Sequence, residues 1–179
     1  MKKAILGLLL SSCFVVSATH AEDRSAVVDI SGVLSAPSEG DCTVLPSTTS
    51  IALDDSIDKL PVQDGGTAHI SSTFTVTVGG DLTCIDKIQA GRVGIKFTGA
   101  VDNANGTVLA NTDTSEGAAK GVGIGLYAAD GSPLNINTYR PVISSATPIS
   151  LGLHMVQLNG QTPEAGSIHS AMTIEVVRL

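Results

Sequence analysis

Short runs of alternating apolar and polar residues, separated by turn-forming residues, recur along this sequence. The clearest run is 70–78, where Phe74, Val76 and Val78 alternate with threonines. Successive side chains of a strand point to opposite faces, so this pattern is typical of a strand with one buried face and one wet face. After residue 21 no run shows the 3.6-residue period of an amphipathic helix, and we therefore expect an all-β fold.

The same pattern predicts most of the remaining strands. We expect strands over 26–34, 42–45, 48–53, 70–78, 92–97, 108–109, 121–128, 149–158 and 170–179. Segment 54–66 reads as loop with at most one helical turn, 82–85 as a short stretch that carries a cysteine, and 133–143 as ragged strand or loop. Turn signals such as Asn105-Gly106 and Asp130-Gly131 separate the runs, which favours two packed antiparallel sheets.

The first 21 residues have the organisation of a secretory signal peptide. Lys2 and Lys3 form a positive start, 4–16 is apolar, and Thr19-His20-Ala21 places small residues where a signal peptidase reads them. We predict cleavage after Ala21. A looser alternative is a lipobox ending at Cys13, which would make the chain a lipoprotein.

Removal of the signal peptide leaves two cysteines, Cys42 and Cys84, in an exported chain. Exported proteins with an even cysteine count usually oxidise them, so we expect one disulfide. Two separate free thiols are the alternative.

Charge and composition argue against several functions. Without Lys2 and Lys3 the chain has 10 − 2 = 8 basic and 17 acidic residues, a net charge of −9. Phosphate binding needs clustered Lys and Arg, so nucleic acid is not an expected partner. The chain has no Trp and few other aromatic residues, which disfavours carbohydrate and single-strand stacking sites.

The sequence also lacks the patterns of catalytic and metal sites. His69, His154 and His169 lie far apart and lack ligand spacing, and no nucleophile motif occurs. The acidic cluster formed by residues 54, 55 and 58 lacks the regular oxygen spacing of a calcium loop. We therefore expect neither an enzyme, nor a cofactor, nor a metal site.

With these features in order, the chain resembles the subunits of chaperone–usher fimbriae, the type 1-like pili. The residues that carry the resemblance span the mature chain: the alternating run 28–34, Cys42 and Cys84, 74–78, 93–99, 121–127, 130–134, Pro163, Gly166 and 171–179.

The resemblance implies an immunoglobulin-like β-sandwich that lacks its last strand. The missing strand leaves a groove over the core, which a periplasmic chaperone fills first and the N-terminal extension of a neighbouring subunit fills in the fibre. It implies an extension over 22–34 and a sandwich domain over 35–179. The predicted donor positions are Ala26, Val28 and Ile30. The predicted groove-lining and chaperone-binding residues are Leu151, Leu153, Met172, Ile174, Val176 and Leu179, the last through its carboxylate.

The chain departs from the family pattern in two places, and the second of them, the weak donor segment, leads to a further hypothesis. Arg178 stands where family members commonly have a penultimate Tyr, and Glu22 and Arg24 occupy in-phase positions where a donor strand needs apolar residues. Burying an unpaired charge is costly. This predicts a minor or specialised subunit, with a tip position as one option.

The expected partners follow from the resemblance: a periplasmic pilus chaperone, an outer-membrane usher, neighbouring subunits and, for a tip subunit, a host surface receptor. The expected route runs through the periplasm to a cell-surface fimbrium that serves adhesion. Two alternatives stay open, a free-standing carbohydrate- or protein-binding adhesin and a soluble or lipid-anchored periplasmic sandwich.

Overall fold

The structure is a computed structural model that describes residues 26–31, 42–66 and 70–179, the first of these ranges by its backbone. The predicted signal peptide, the lipobox alternative at Cys13, the charged positions Glu22 and Arg24, and His69 lie outside the described residues. So do the flanks of the predicted extension, and its division from the domain stays a prediction.

Eleven strands in the described residues form two sheets, as the alternating runs predict. The first sheet has the order β3-β1-β11-β5-β9, with bounds β1 Ala26–Ser31, β3 Ser50–Leu53, β5 Val93–Gly99, β9 Val142–Ile143 and β11 His169–Arg178. The second has the order β2-β4-β10-β7-β6, with β8 paired to β7, and its bounds are β2 Cys42–Pro46, β4 Ser72–Gly80, β6 Leu109–Ala110, β7 Val122–Ala128, β8 Pro133–Leu134 and β10 Ile149–Gln157. The all-β, immunoglobulin-like sandwich is confirmed.

The core lies between the two sheets and is built from the alternating positions. In β4, Phe74, Val76 and Val78 are buried, while the threonines between them are half-buried. Phe97 of β5 and Ile174 of β11 enter the same buried cluster from the other sheet. Each fully buried side chain of this size contributes about 1.5–3 kcal/mol, so the two inner faces hold the sheets together.

A 3-10 turn at Ile57–Lys59 lies in the segment where one helical turn was allowed, but a second element contradicts the expectation that no amphipathic helix follows residue 21. Segment 82–85 is the first half of helix α1 (Leu82–Gln89), which begins where the Asp81 carboxylate accepts a hydrogen bond from the Cys84 N–H at 2.9 Å. Cys84 and Ile88 are its buried residues. They stand four apart, so they lie on one face of the helix and anchor it to the core.

The disulfide is confirmed. Cys42 at the start of β2 and Cys84 in α1 form it, with a Cα–Cα distance of 5.2 Å. The alternative of two free thiols is therefore wrong. The bond joins an edge strand of the second sheet to the helix, and it closes a loop that spans 42 residues of sequence.

Candidate functional site

The candidate site is the position between β3 and β11 in the first sheet, here called the slot. β1 of the same chain occupies it. β1 pairs in parallel with β11, from Val27 opposite His169 to Ser31 opposite Thr173. On its other side it pairs antiparallel with β3, from Ala26 opposite Leu53 to Asp29 opposite Ser50.

The two walls of the slot bury alternate residues. On β3, Ile51 is 6% and Leu53 1% exposed; on β11, Met172 is 1% and Ile174 5% exposed. Their neighbours Ala171 and Glu175 are exposed. The slot therefore has one face toward the core and one toward solvent, which is the arrangement that an added strand with alternating residues fits.

The register relates the predicted donor positions to these walls. Ala26, Val28 and Ile30 stand opposite buried residues, namely Leu53, Ile51, Ser170 and Met172. Val27 and Asp29 stand opposite exposed ones, namely Ala52, Ser50, His169 and Ala171. The backbone thus sets the three predicted donor positions in phase with the core side of the slot.

Four of the six predicted groove residues lie in one buried cluster. Leu151 and Leu153 belong to β10 in the opposite sheet, at 2% and 0% exposure, and share the cluster with Met172 and Ile174. The core beneath the slot is therefore built from both sheets. Since β10 is an inner strand of its own sheet, Leu151 and Leu153 form the floor of the core rather than a wall of the slot.

The other two predicted residues lie toward the end of β11. Val176 is half-buried and packs against the cluster. Leu179 is 60% exposed, and its backbone N–H donates to the Arg92 carbonyl at 3.0 Å. Leu179 thus follows the end of β11 and lies beside Arg92, the residue that precedes β5. Leu179 does not belong to the buried hydrophobic cluster that contains Met172 and Ile174.

Sequence reasoning missed one wall and one polar residue of the slot. Ile51 and Leu53 alternate within the predicted strand 48–53, so their burial could be predicted from the sequence. No local sequence pattern, however, identifies the strand that pairs with them. Ser170 is 1% exposed, and its hydroxyl donates to the Ala110 carbonyl. This bond ties β11 to β6 across the sandwich and satisfies a buried polar group.

A serine, a histidine and an aspartate meet at the end of the sandwich where β4 begins. His154 Nδ1 lies 2.8 Å from Ser71 Oγ and 3.5 Å from Asp55 Oδ2. In a nucleophilic triad the carboxylate and the hydroxyl face opposite ring nitrogens, whereas here both face Nδ1. Asp55 also accepts from the Met155 N–H at 3.4 Å, so the cluster ties loop 54–56 to β10.

No group of three or more His, Cys, Asp or Glu in the described ranges is arranged to hold a metal ion. Among the same residues, no helix has the length and apolar character needed to cross a membrane.

The chain belongs to the fimbrial protein family, whose model matches residues 30–177. The resemblance to chaperone–usher fimbrial subunits is thereby confirmed, and the chain is a structural subunit of a cell-surface pilus, a class that associates with other pilus subunits.

Solved structures with similar chains include two of pilus proteins. The P pilus rod subunit PapA is 14% identical, with a TM-score of 0.47, over 82% of this chain and 95% of that one. An antigen and type I fimbria protein of Burkholderia pseudomallei is 17% identical, with a TM-score of 0.45, over 86% of this chain and 93% of that one. No curated protein matches the chain.

Proposed function

We propose that this subunit is assembled into its fimbria by donor-strand complementation at the slot between β3 and β11. The observation that supports this most is the position of β1, which lies inside the first sheet between β3 and β11 although it comes from the predicted extension. Without β1, β3 and β11 would be two unpaired edges beside a buried cluster, and such edges drive association.

The donor and acceptor parts of the chain have matching chemistry. The predicted donor positions Ala26, Val28 and Ile30 are apolar, and their register partners in the slot are buried. An extension of the same sequence, coming from a neighbouring copy, would offer the slot the same alternation. Main-chain hydrogen bonds to both neighbouring strands supply affinity, and the side chains that face the core at alternate positions supply specificity.

Partners follow for the slot and for the exposed Leu179. A periplasmic chaperone protects the slot during export by adding a strand of its own, and contacts the Leu179 carboxylate; an outer-membrane usher then exchanges that strand for a subunit's extension. The fimbria serves adhesion. The charged positions Glu22 and Arg24 favour a minor or specialised place in the fibre, with the tip, and a host receptor there, as one case. The slot supports a structural role, and we propose no catalysis.

The test is incorporation of variants into the fibre of cells that carry the cognate chaperone and usher. Exchanging Asp29 and Ile30 keeps composition but puts a charge in the buried phase, because burial of an unpaired carboxylate costs several kcal/mol. We expect this chain to bind chaperone one-to-one yet to be at least tenfold depleted from sheared fibres. Asp29→Asn, which keeps the phase, is the control and should be incorporated normally. Equal incorporation of both variants would overturn the proposal.

A further inference from the structure

We propose that Asn137 seals the outer edge of β5, and that this edge is a latent association surface that pairs with β5 of a second copy once the seal is removed. The edge lies on the side of β5 away from the slot, so the inference holds whether or not the slot takes up a strand of another chain. The observation behind it is a pair of hydrogen bonds between the Asn137 side chain and the backbone of Gly99.

The outer edge of β5 is the one that most needs protection. In the described residues β9 pairs with Val93 and Gly94 of this strand, and 95–99 extend beyond it. An open edge is a template for pairing with another chain, and short strands and proline are devices that blunt it. The other outer strands have such devices, since β3 has four residues, β6 has two, and β2 ends at Pro46. The edge of β5 requires a different one.

The loop after β8 lies along this edge and supplies hydrogen-bond partners. The Pro141 carbonyl accepts from the Ile95 N–H at 3.2 Å, and the Asn137 N–H donates to the Phe97 carbonyl at 2.9 Å. At Gly99 the Asn137 side chain takes over: its Oδ1 accepts from the Gly99 N–H at 3.3 Å, and its Nδ2 donates to the Gly99 carbonyl at 3.2 Å. A carboxamide carries the same acceptor and donor as a peptide group, so Asn137 pairs with Gly99 as a residue of a strand would.

The position of the seal selects its residue type. The φ of Asn137 is 66°, in the left-handed region that asparagine adopts more readily than most side-chain-bearing residues. Glycine would adopt it too but has no side chain, and an ionised aspartate has no donor. Gly99 in turn cannot shield its own backbone, because a Cβ there would overlap Leu109 Cδ2 and would lie 2.9 Å from the Ala171 carbonyl oxygen.

An unsealed edge of β5 is complementary to the same edge of a second copy. Ile95, Phe97 and Gly99 direct backbone groups to this side. An antiparallel pair of identical strands is symmetric, so two copies related by a two-fold axis satisfy each other's N–H and carbonyl groups. Pairing about Phe97 places Lys96 of one copy opposite Thr98 of the other, so the two lysines do not oppose each other. A second copy is therefore the partner that this edge fits.

Removal of the seal from the mature chain tests the inference. Asn137→Gly keeps the left-handed backbone conformation and removes both side-chain hydrogen bonds. Asn135→Gly is the matched control, because it places the same residue in the same loop, at an exposed position whose carbonyl still accepts from the Tyr139 N–H. The measurements are amide hydrogen exchange at Gly99, by nuclear magnetic resonance, and sedimentation velocity from low to high micromolar concentration. Both variants have the same slot, so association through the slot affects them equally.

We expect the Gly99 amide of dilute Asn137→Gly to exchange about tenfold faster than in the native chain, because the amide loses its hydrogen bond. As the concentration rises, this variant should form dimers in which exchange at Gly99 slows again, whereas the native chain and Asn135→Gly should not change. If Asn137→Gly does not fold, Asn137→Asp is read in the same way, since it keeps the acceptor and lacks the donor.

Three results would overturn the inference. Native exchange at Gly99 in the folded variant would mean that Asn137 is not the seal. Fast exchange in a variant that stays monomeric at every concentration would mean that the edge is not an association surface. Equal association of Asn137→Gly and Asn135→Gly would place the contact elsewhere. Failure of the slot to take up a donor strand would contradict the proposed function and would leave each of these readings unchanged.

Discussion

At the scale of single residues, the most heavily bonded carboxylate lies outside the slot. Asp102 is 6% exposed and accepts hydrogen bonds from five backbone N–H groups, which are those of Ala104, Asn105, Gly106, Thr107 and Val108. The buried Gln63 side chain donates to it as well, at 3.0 Å. Burial raises the pKa of Asp102, but these hydrogen bonds outweigh it and hold the pKa below its usual value.

The first prediction is that Asp102→Asn destabilises the fold. Asparagine keeps one acceptor oxygen and replaces the other with a donor, so several loop N–H groups lose their partner. We expect a loss of about 3 kcal/mol in the free energy of unfolding, measured by chemical denaturation at pH 7. Asp130→Asn is the control, since Asp130 lies on an exposed turn, where its carboxylate accepts from the N–H and the hydroxyl of Ser132; it should change stability little.

The sign of the pH dependence follows from the lowered pKa. A carboxyl whose pKa is lower in the folded chain stabilises it above the unfolded value, near 3.8, and that stability is lost as the pH falls through the folded value. The difference in free energy of unfolding between the native chain and Asp102→Asn should therefore be largest at pH 7 and should become smaller below pH 3.8. A difference that is constant down to pH 2 would contradict the role of the charge.

At the scale of elements, the strands were predictable and the helix was not. Alternation of period two is a local signal, and it located β4, β7, β10 and β11 to within about two residues. Segment 82–89 is only about two helical turns long, so its apolar residues Leu82, Cys84, Ile85 and Ile88 are too few to establish a helical period. The missed signal was Asp81, a residue type that favours the first position before a helix.

The helix cap gives the second prediction. Asp81→Ala removes the acceptor of the Cys84 N–H and should lower stability by about 1 kcal/mol. The matched control is Asp86→Ala in the same helix, where an exposed aspartate is replaced by the best helix former. Thermal unfolding should show a lower midpoint for the first variant and an unchanged or higher one for the second; equal midpoints would mean that the cap does not hold α1.

At the scale of the whole molecule, the sequence predicted two sheets but not the order of their strands. The slot brings together Val27 and His169, from opposite ends of the chain, and no local pattern reports such a pairing. The predicted groove residues were recoverable because buried positions on β10 and β11 alternate. The β3 wall was not, because its identity depends on which strand faces it across the slot.

The third prediction concerns the whole first sheet. A mature chain that begins at Gly32 lacks β1, so β3 and β11 lose their common neighbour and the core cluster loses its cover at the slot. We expect this chain, refolded alone, to aggregate or to unfold at least 10 °C below the full mature chain. The measurements are light scattering and thermal unfolding, with the Cys42–Cys84 bond verified by mass, because a chain without that bond would be unstable for a different reason.

Supplying the missing strand separately should restore the sheet. A peptide of residues 22–34 added at 100 times its dissociation constant stabilises the chain that it binds by about 2.7 kcal/mol, and the unfolding midpoint should rise with the logarithm of its concentration. The control peptide exchanges Asp29 and Ile30, which keeps composition and charge but places the carboxylate opposite Met172, 1% exposed in the folded chain. If the native peptide stabilises the chain and the control peptide does not, the slot distinguishes which residues of the added strand face the core. Equal stabilisation by both peptides would show that the slot is an open sheet edge without selectivity. A truncated chain that is stable without any peptide would mean that the sandwich is complete without β1.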